Sequence, residues 1–210
     1  MDAHQALDLI ADLPPREIRA LWDSAREMTG HGLPRGLWLG RNGGMASPLK
    51  WFVRTVVKRD YFAKLVLDGY GVNVRVRQDG SHAPLPSPRV SGGVKVDLPF
   101  ALTDAGLDYG FHILGFDTAA HLQMRDVLRS VDLTTLAELA PEEHLARVGA
   151  RRGEAGQGEL ILGYIMPLAI DSLRLAPFGM VWHREATEAE EASATEWLER
   201  RRLVDSSVPA

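Results

Sequence analysis

The chain reads as a mainly β protein with flanking α-helices, built on an antiparallel up-and-down β-barrel, and three observations predict that class. At least seven strand-sized segments occur without strand–helix–strand alternation and without a phosphate-cradling glycine loop, which favours an antiparallel barrel or sandwich over a doubly wound sheet. Gly36-Leu37-Trp38-Leu39-Gly40 follows a helical N-terminal segment, and the β-rich part closes on Phe178-Gly179-Met180-Val181-Trp182-His183-Arg184. Two such ends suit a barrel whose first and last strands meet. The composition, 45% apolar and 25% charged over 210 residues, suits one folded domain.

Taken in order, residues 3–12 and 15–28 have helical spacing. Leu7, Ile10 and Ala11 lie on one stripe and Ile18, Leu21, Trp22 and Ala25 on another, separated by Pro14-Pro15. Ser47-Pro48 has the form of an N-cap and first helical position, and Leu49, Phe52, Val53, Val56 and Val57 continue it at helical spacing, with a β-rich run as the competing reading because Val and Thr are frequent here. From Tyr61 the period moves toward two. Val72, Val74 and Val76 alternate with polar residues before a turn at Asp79-Gly80, as do Val94, Val96 and Leu98 after Gly92-Gly93. Between them the prolines of residues 81–88 are expected to stop any ladder and leave an extended loop.

Leu107–Phe116, Glu159–Met166 and Pro177–Arg184 read as further strands, the last two more continuously apolar. Residues 133–152 carry helical spacing and lead into a glycine-rich charged stretch, an insertion between strands. Thr187–Leu203 is a polar helix anchored by Ala192, Trp197 and Leu198, with acids early and arginines late, as the helix dipole favours. The organisation expected is N-terminal helices over 1–30, a barrel domain over 36–184 with its helical insertion near 133–152, and a C-terminal helix over 187–204.

Charge and composition exclude several functions. A net charge of −4 without a basic, aromatic-studded stripe argues against nucleic acid, and the absence of cysteine removes disulfides, thiolate metal sites and cysteine nucleophiles. No run approaches the roughly 20 apolar residues of a membrane span, and the acidic first residues lack the order of an export signal, so a cytoplasmic location is expected. Seven histidines show neither HExxH nor HxxxH spacing, so no metal is expected and no cofactor is implied.

Gly36-Leu37-Trp38 on a first strand, answered by Arg184 on the last, resembles the lipocalin/calycin superfamily of ligand-binding barrels. The resemblance implies that Trp38 plugs one end of the barrel and that Arg184 packs over it, a cation–π contact with a hydrated charged tip. A second resemblance is to uncharacterised bacterial barrel proteins of GxWxG type. It rests on an ordered set: Gly36-Leu37-Trp38-Leu39-Gly40, Gly71-Val72-Asn73, Leu107-Asp108-Tyr109, Arg125-Asp126-Val127-Leu128-Arg129-Ser130-Val131, Leu162-Gly163 and Phe178-Gly179-Met180. This chain departs from that pattern by a longer segment before Leu162 and by its terminal helices. Met124, Val127, Leu128 and Val131 also fit helical spacing, but the resemblance makes 121–131 a strand.

On such a strand Arg125 and Arg129 share one face, with Asp126 and Leu128 on the other. The two arginines are either structural ion-pair partners or the anchors of a ligand carboxylate. Asp108 and His112 fall on one side of their strand and Tyr109 on the other; a His–Asp pair, or the tyrosine, would serve proton transfer. No strained G-x-S-x-G turn supplies a serine nucleophile. Tyr70, Tyr164 and Trp182 are candidates to line a cavity, being aromatic bodies with polar tips. The function expected is binding of a small hydrophobic ligand such as a fatty acid, isoprenoid or polyketide in a barrel cavity. The alternatives are a barrel enzyme, a cyclase or isomerase working by proton transfer on such a metabolite, and a packed interaction module or homodimer.

Overall fold

A computed structural model describes residues 1–43, 60–109, 124–156, 158–167 and 175–205. Helix α1 (Ala3–Asp12) starts at a capping box, in which the Asp2 side chain accepts from Gln5 N–H and the Gln5 side chain answers at Asp2 N–H. Helix α2 (Pro15–Ser24) starts with proline in its first turn, where no N–H is needed. It ends four residues earlier than its spacing predicts. Strand β1 (Arg26–Met28) takes over and pairs Arg26, Glu27 and Met28 with Ser130, Arg129 and Leu128. Edge satisfaction explains the change, because those partners would otherwise have unpaired backbone groups in the barrel wall.

The wall itself is β2 (Gly36–Asn42), β3 (Tyr61–Val66), β4 (Tyr70–Val74), β5 (Val96–Thr103), β6 (Gly106–Asp108), β7 (Met124–Asp132), β8 (Glu159–Pro167) and β9 (Leu175–Arg184). All neighbours are antiparallel, β7 pairs β8, and β9 returns to β2 with Trp38 opposite Trp182 and Leu39 opposite Val181, so eight strands close. The expected meeting of the Trp38 and Trp182 strands is therefore found. Residues 124–132 take the strand alternative, pairing from end to end with β8. Of the strand expected over 107–116, β6 is the described part. The helix expected at 48–58 lies outside the described residues.

Helices α3 (Leu133–Leu139) and α4 (Glu142–Arg147) occupy the β7–β8 connection as the insertion predicted there. The prolines of 81–88 stop a regular ladder, as expected, and leave only isolated bridges, Val76 with Pro84 and Pro86 with Val94. Pro84, Pro86 and Pro88 alternate with residues whose amides are free to bond: Leu85 N–H donates to Arg75 O, and Ser87 N–H to Gly93 O, at 2.8 and 3.0 Å.

Both faces of much of the wall are buried. Leu37, Leu39, Ala63, Leu65 and Val181 face outward into a core shared with α1, α2 and α3, while Trp38, Phe100, Leu128, Phe178 and Met180 face inward in a second core. Strands covered on both faces lose the polar alternation, which is why β8 and β9 read as continuous apolar runs. Three inward glycines make room for rings. A Cβ on Gly40 would meet Phe62 Cζ at 2.2 Å, one on Gly71 would meet Phe100 Cζ at 2.3 Å, and one on Gly163 would meet Phe178 Cζ at 2.0 Å. Gly163→Ala is expected to overpack the lumen and destabilise the fold by about 1–3 kcal/mol in urea unfolding.

Helix α5 (Glu188–Asp205) is fastened rather than solvated. Its anchors include buried Glu190, Ser193 and Ala194, whereas Ala192 is exposed. Glu190 takes both guanidinium nitrogens of Arg184 at 2.9 and 2.7 Å, and Ser193 Oγ accepts from Val94 N–H at 3.0 Å. Burial alone would raise the Glu190 carboxyl, but Arg184 and the Thr187 amide outweigh it and hold it below its ordinary value of 4.5. A depressed carboxyl contributes stability above the unfolded value, and that contribution disappears as pH falls through the folded value. Amide exchange in α5 is accordingly expected to quicken below about pH 4.5, and Glu190→Gln to show the fast exchange already at neutral pH.

Candidate functional site

The centre of the barrel holds an ammonium. Lys64 points inward from the middle of β3, opposite Trp38 on one side and Asn73 on the other, and its side chain is 4% exposed. Its three N–H bonds are all used: to Asn73 Oδ1 at 3.1 Å, to Asp126 Oδ2 at 3.1 Å, and to the Tyr109 hydroxyl. Tyr109 in turn donates to the same Asp126 Oδ2 at 2.6 Å. Asp126 Oδ1 is buried and accepts no hydrogen bond from the described residues. A buried carboxylate oxygen without a donor is uncommon in a folded interior.

Aromatic rings surround this polar node. Lys64 Nζ lies 5.4 Å from the Phe62 ring centre, 5.1 Å from Phe100, 4.9 Å from Tyr109 and 5.6 Å from Phe178, all within cation–π range. Burial pushes the lysine below its ordinary 10.5, even though the Asp126 charge and hydrogen bond pull the other way. Burial, with the adjacent Asp126 charge, raises the Tyr109 hydroxyl well above 10.0. The node thus combines an amine with a weakened hold on its proton, a phenol that keeps its own, and a carboxylate with one free oxygen.

A groove on the outer surface adjoins it and shares Tyr109 with the node. Its volume is about 540 Å³, within the range of small-molecule sites, and it lies between β4–β6 and the C-terminal part of α5. Outward residues Tyr70, Ala101 and Asp108 line it together with inward residues Phe100 and Tyr109. The β5–β6 ladder ends at Ala101 opposite Asp108, and Pro99 has no N–H with which to extend it. Next to it, β5 bulges at Leu98, whose positive φ of 38° marks local strain. The Phe100 and Tyr109 rings meet edge-on with their centres 5.5 Å apart.

The residues expected from sequence are distributed around this site. Tyr109 belongs to the node, and Asp108, facing the other way as strand alternation predicts, lines the groove with Tyr70. His112 lies outside the described residues. Arg125 and Arg129 share the outward face. Arg129 donates to Trp22 O at 2.7 Å, pairs with Glu27 at 3.1 Å and covers the Trp22 ring at 5.0 Å, the structural alternative for that residue. Tyr164 packs edge-on against Trp22 at 4.8 Å, also on the outer face. Trp182 is 43% exposed and donates to Arg35 O at 3.3 Å. Trp38 is buried near the end where β2 begins, its indole donating to Pro34 O. Arg184 binds Glu190 in place of the cation–π contact with Trp38 that the resemblance implies.

Sequence reasoning missed Lys64, Asn73, Asp126 and the three phenylalanines as a unit. One signal was present: Tyr61-Phe62-Ala63-Lys64-Leu65-Val66-Leu67 carries a single charge within an apolar run. A cation there has no solvated side to turn to and needs a buried partner. The ordered motif set turns out to supply that partner and its setting, through Gly40, Gly71 and Asn73, Tyr109, Asp126, Gly163 and Phe178.

Among the described residues no group of histidines and carboxylates is placed to hold a metal, and no helix is long and apolar enough to cross a membrane. Comparison with protein-family models, with curated proteins and with solved structures yields no match.

Proposed function

We propose that this protein binds a small, uncharged, apolar molecule of isoprenoid or polyketide character. The body of the ligand lies in the groove between β5, β6 and α5, with its polar group toward Lys64, Asp126 and Tyr109. The observation that carries this reading is a groove of ligand size whose lining includes Tyr109, a member of the buried node. The free oxygen of Asp126 supports it, since a ligand hydroxyl would supply the missing donor. Charge balance narrows the ligand. Lys64 is already neutralised by Asp126, and the groove adds Asp108 and Glu199. A fatty-acid carboxylate would add repulsion there, and none of the described lining residues is a cation. The groove is the seat on this reading because it shares Tyr109 with the node. On this reading the GxWxG-type elements are parts of one binding centre in a lipocalin-like barrel.

A second reading is favoured by the hydrogen bond from Tyr109 to Asp126 beside the lysine: the same site as a cyclase or isomerase that moves a proton on its apolar substrate. Native mass spectrometry beside a denatured control tests the binding reading, using co-purified material and a panel of isoprenoids, polyketides and fatty acids. Neutral ligands are expected to be retained, and Ala101→Trp, which fills the groove from its exposed rim, is expected to abolish retention. Retention unaffected by Ala101→Trp, or no retention of any neutral ligand, overturns the proposal.

A further inference from the structure

We propose that Lys64 is a carbonyl-capturing amine, forming an imine with an aldehyde or ketone delivered through the groove. This rests on the groove-binding reading and narrows its ligand to apolar carbonyl compounds. The geometry points to it in three ways. Tyr109 lines the groove, and its hydroxyl hydrogen-bonds Nζ. Asp126 lies 3.1 Å from Nζ through one oxygen and keeps the other free, a proton acceptor beside the nucleophile. Four aromatic rings and one carboxylate hold a single positive charge at this point, and an iminium has that same charge in nearly the same place. A buried ion pair adds little to stability over a well-packed apolar pair, so stability alone does not account for a lysine here.

The reaction balances without an oxidant. The ammonium passes one proton to Asp126, and the Nζ lone pair forms the C–N bond as the carbonyl π electrons move to oxygen. Tyr109 protonates that oxygen and recovers its proton through Asp126. The carbinolamine then loses its hydroxyl as water, with a second proton transfer, and the C=N bond forms. Ammonium and carbonyl compound give iminium and water, and desolvation aids the attack by making the ammonium easier to deprotonate.

The test is reductive trapping. The full-length protein is incubated with a short isoprenoid aldehyde such as citral, treated with borohydride and mapped by peptide mass spectrometry, with the matching alcohol as a non-covalent probe. The chain has four lysines, Lys50, Lys58, Lys64 and Lys95, so assignment is direct, and exposed Lys95 serves as the internal reference. The expected result is one equivalent of adduct on Lys64, about a hundredfold slower in Tyr109→Phe. It should be absent from Lys64→Met/Asp126→Leu, a pair that retains an apolar filling. No adduct on Lys64, with the alcohol still bound and displaced by Ala101→Trp, overturns the imine and leaves the groove reading standing. Neither trapping nor alcohol binding overturns both.

Discussion

Lys64→Ala is expected to reduce the free energy of unfolding by about 3–5 kcal/mol, because it leaves the Asp126 carboxylate buried without its counter-charge. Asp126→Ala should cost a similar amount for the mirror reason, stranding an ammonium whose three donors lose their strongest acceptor. Lys64→Met/Asp126→Leu replaces the pair by apolar volume and should return close to the parent stability or exceed it. The single losses are therefore strongly non-additive, and a double-mutant cycle in urea measures the coupling. pH provides a second readout. The folded state holds the lysine proton less tightly than the unfolded chain, so the unfolded chain binds more protons in the interval below 10.5. Stability should rise with pH across that interval, and the double variant should lack the rise. A double variant as unstable as the single ones would overturn this account of the node.

Ile10→Ala is expected to cost about 2–5 kcal/mol. Ile10 is fully buried on α1, its side chain packed where Gly179 of β9 offers no Cβ and its carbonyl lying against Gly43. Truncation removes apolar area and leaves a void that two glycines cannot fill. Because α1 packs on both β2 and β9, hydrogen exchange should accelerate specifically at Leu39 and Val181, which face each other across the closing seam. Leu139→Ala, at a site 49% exposed, is the matched control and should change stability by less than about 0.5 kcal/mol. Equal effects from the two substitutions would mean that the outer helices do not brace the barrel.

Much of this architecture was legible because it rests on local patterns. The alternation from Val72, the apolar runs of β8 and β9 and the Pro-Pro break between the first helices each reflect one strand or helix meeting one environment. β1 was hidden because three residues following a helix carry no period of their own; the need of β7 for a partner made them a strand. The isolated bridges of 81–88 were hidden because proline counts as a breaker, while the amides between the prolines still bond. The site was only partly legible. Tyr109 and the face of Asp126 opposite the arginines followed from alternation, but the joining of Lys64, Asn73 and Asp126 comes from barrel register, which brings β3, β4 and β7 together across the lumen. Arg125 and Arg129 drew attention as the conspicuous charges, although the less conspicuous aspartate between them is the one that turns inward.

The seam between Trp38 and Trp182 also sets an order in time. During synthesis at roughly 5–20 residues per second, β2 emerges and then waits on the order of ten seconds for the strand that completes it. Over that interval α1 can cover one face of β2 and β3 can pair with one edge, but the other edge is open. The ribosome-bound intermediate is thus an unclosed sheet with an apolar lip, and escape from self-association ends only when the final strand arrives. Substitutions that slow β9 docking should therefore appear first as lower soluble yield, before any change in the stability of the molecules that do close.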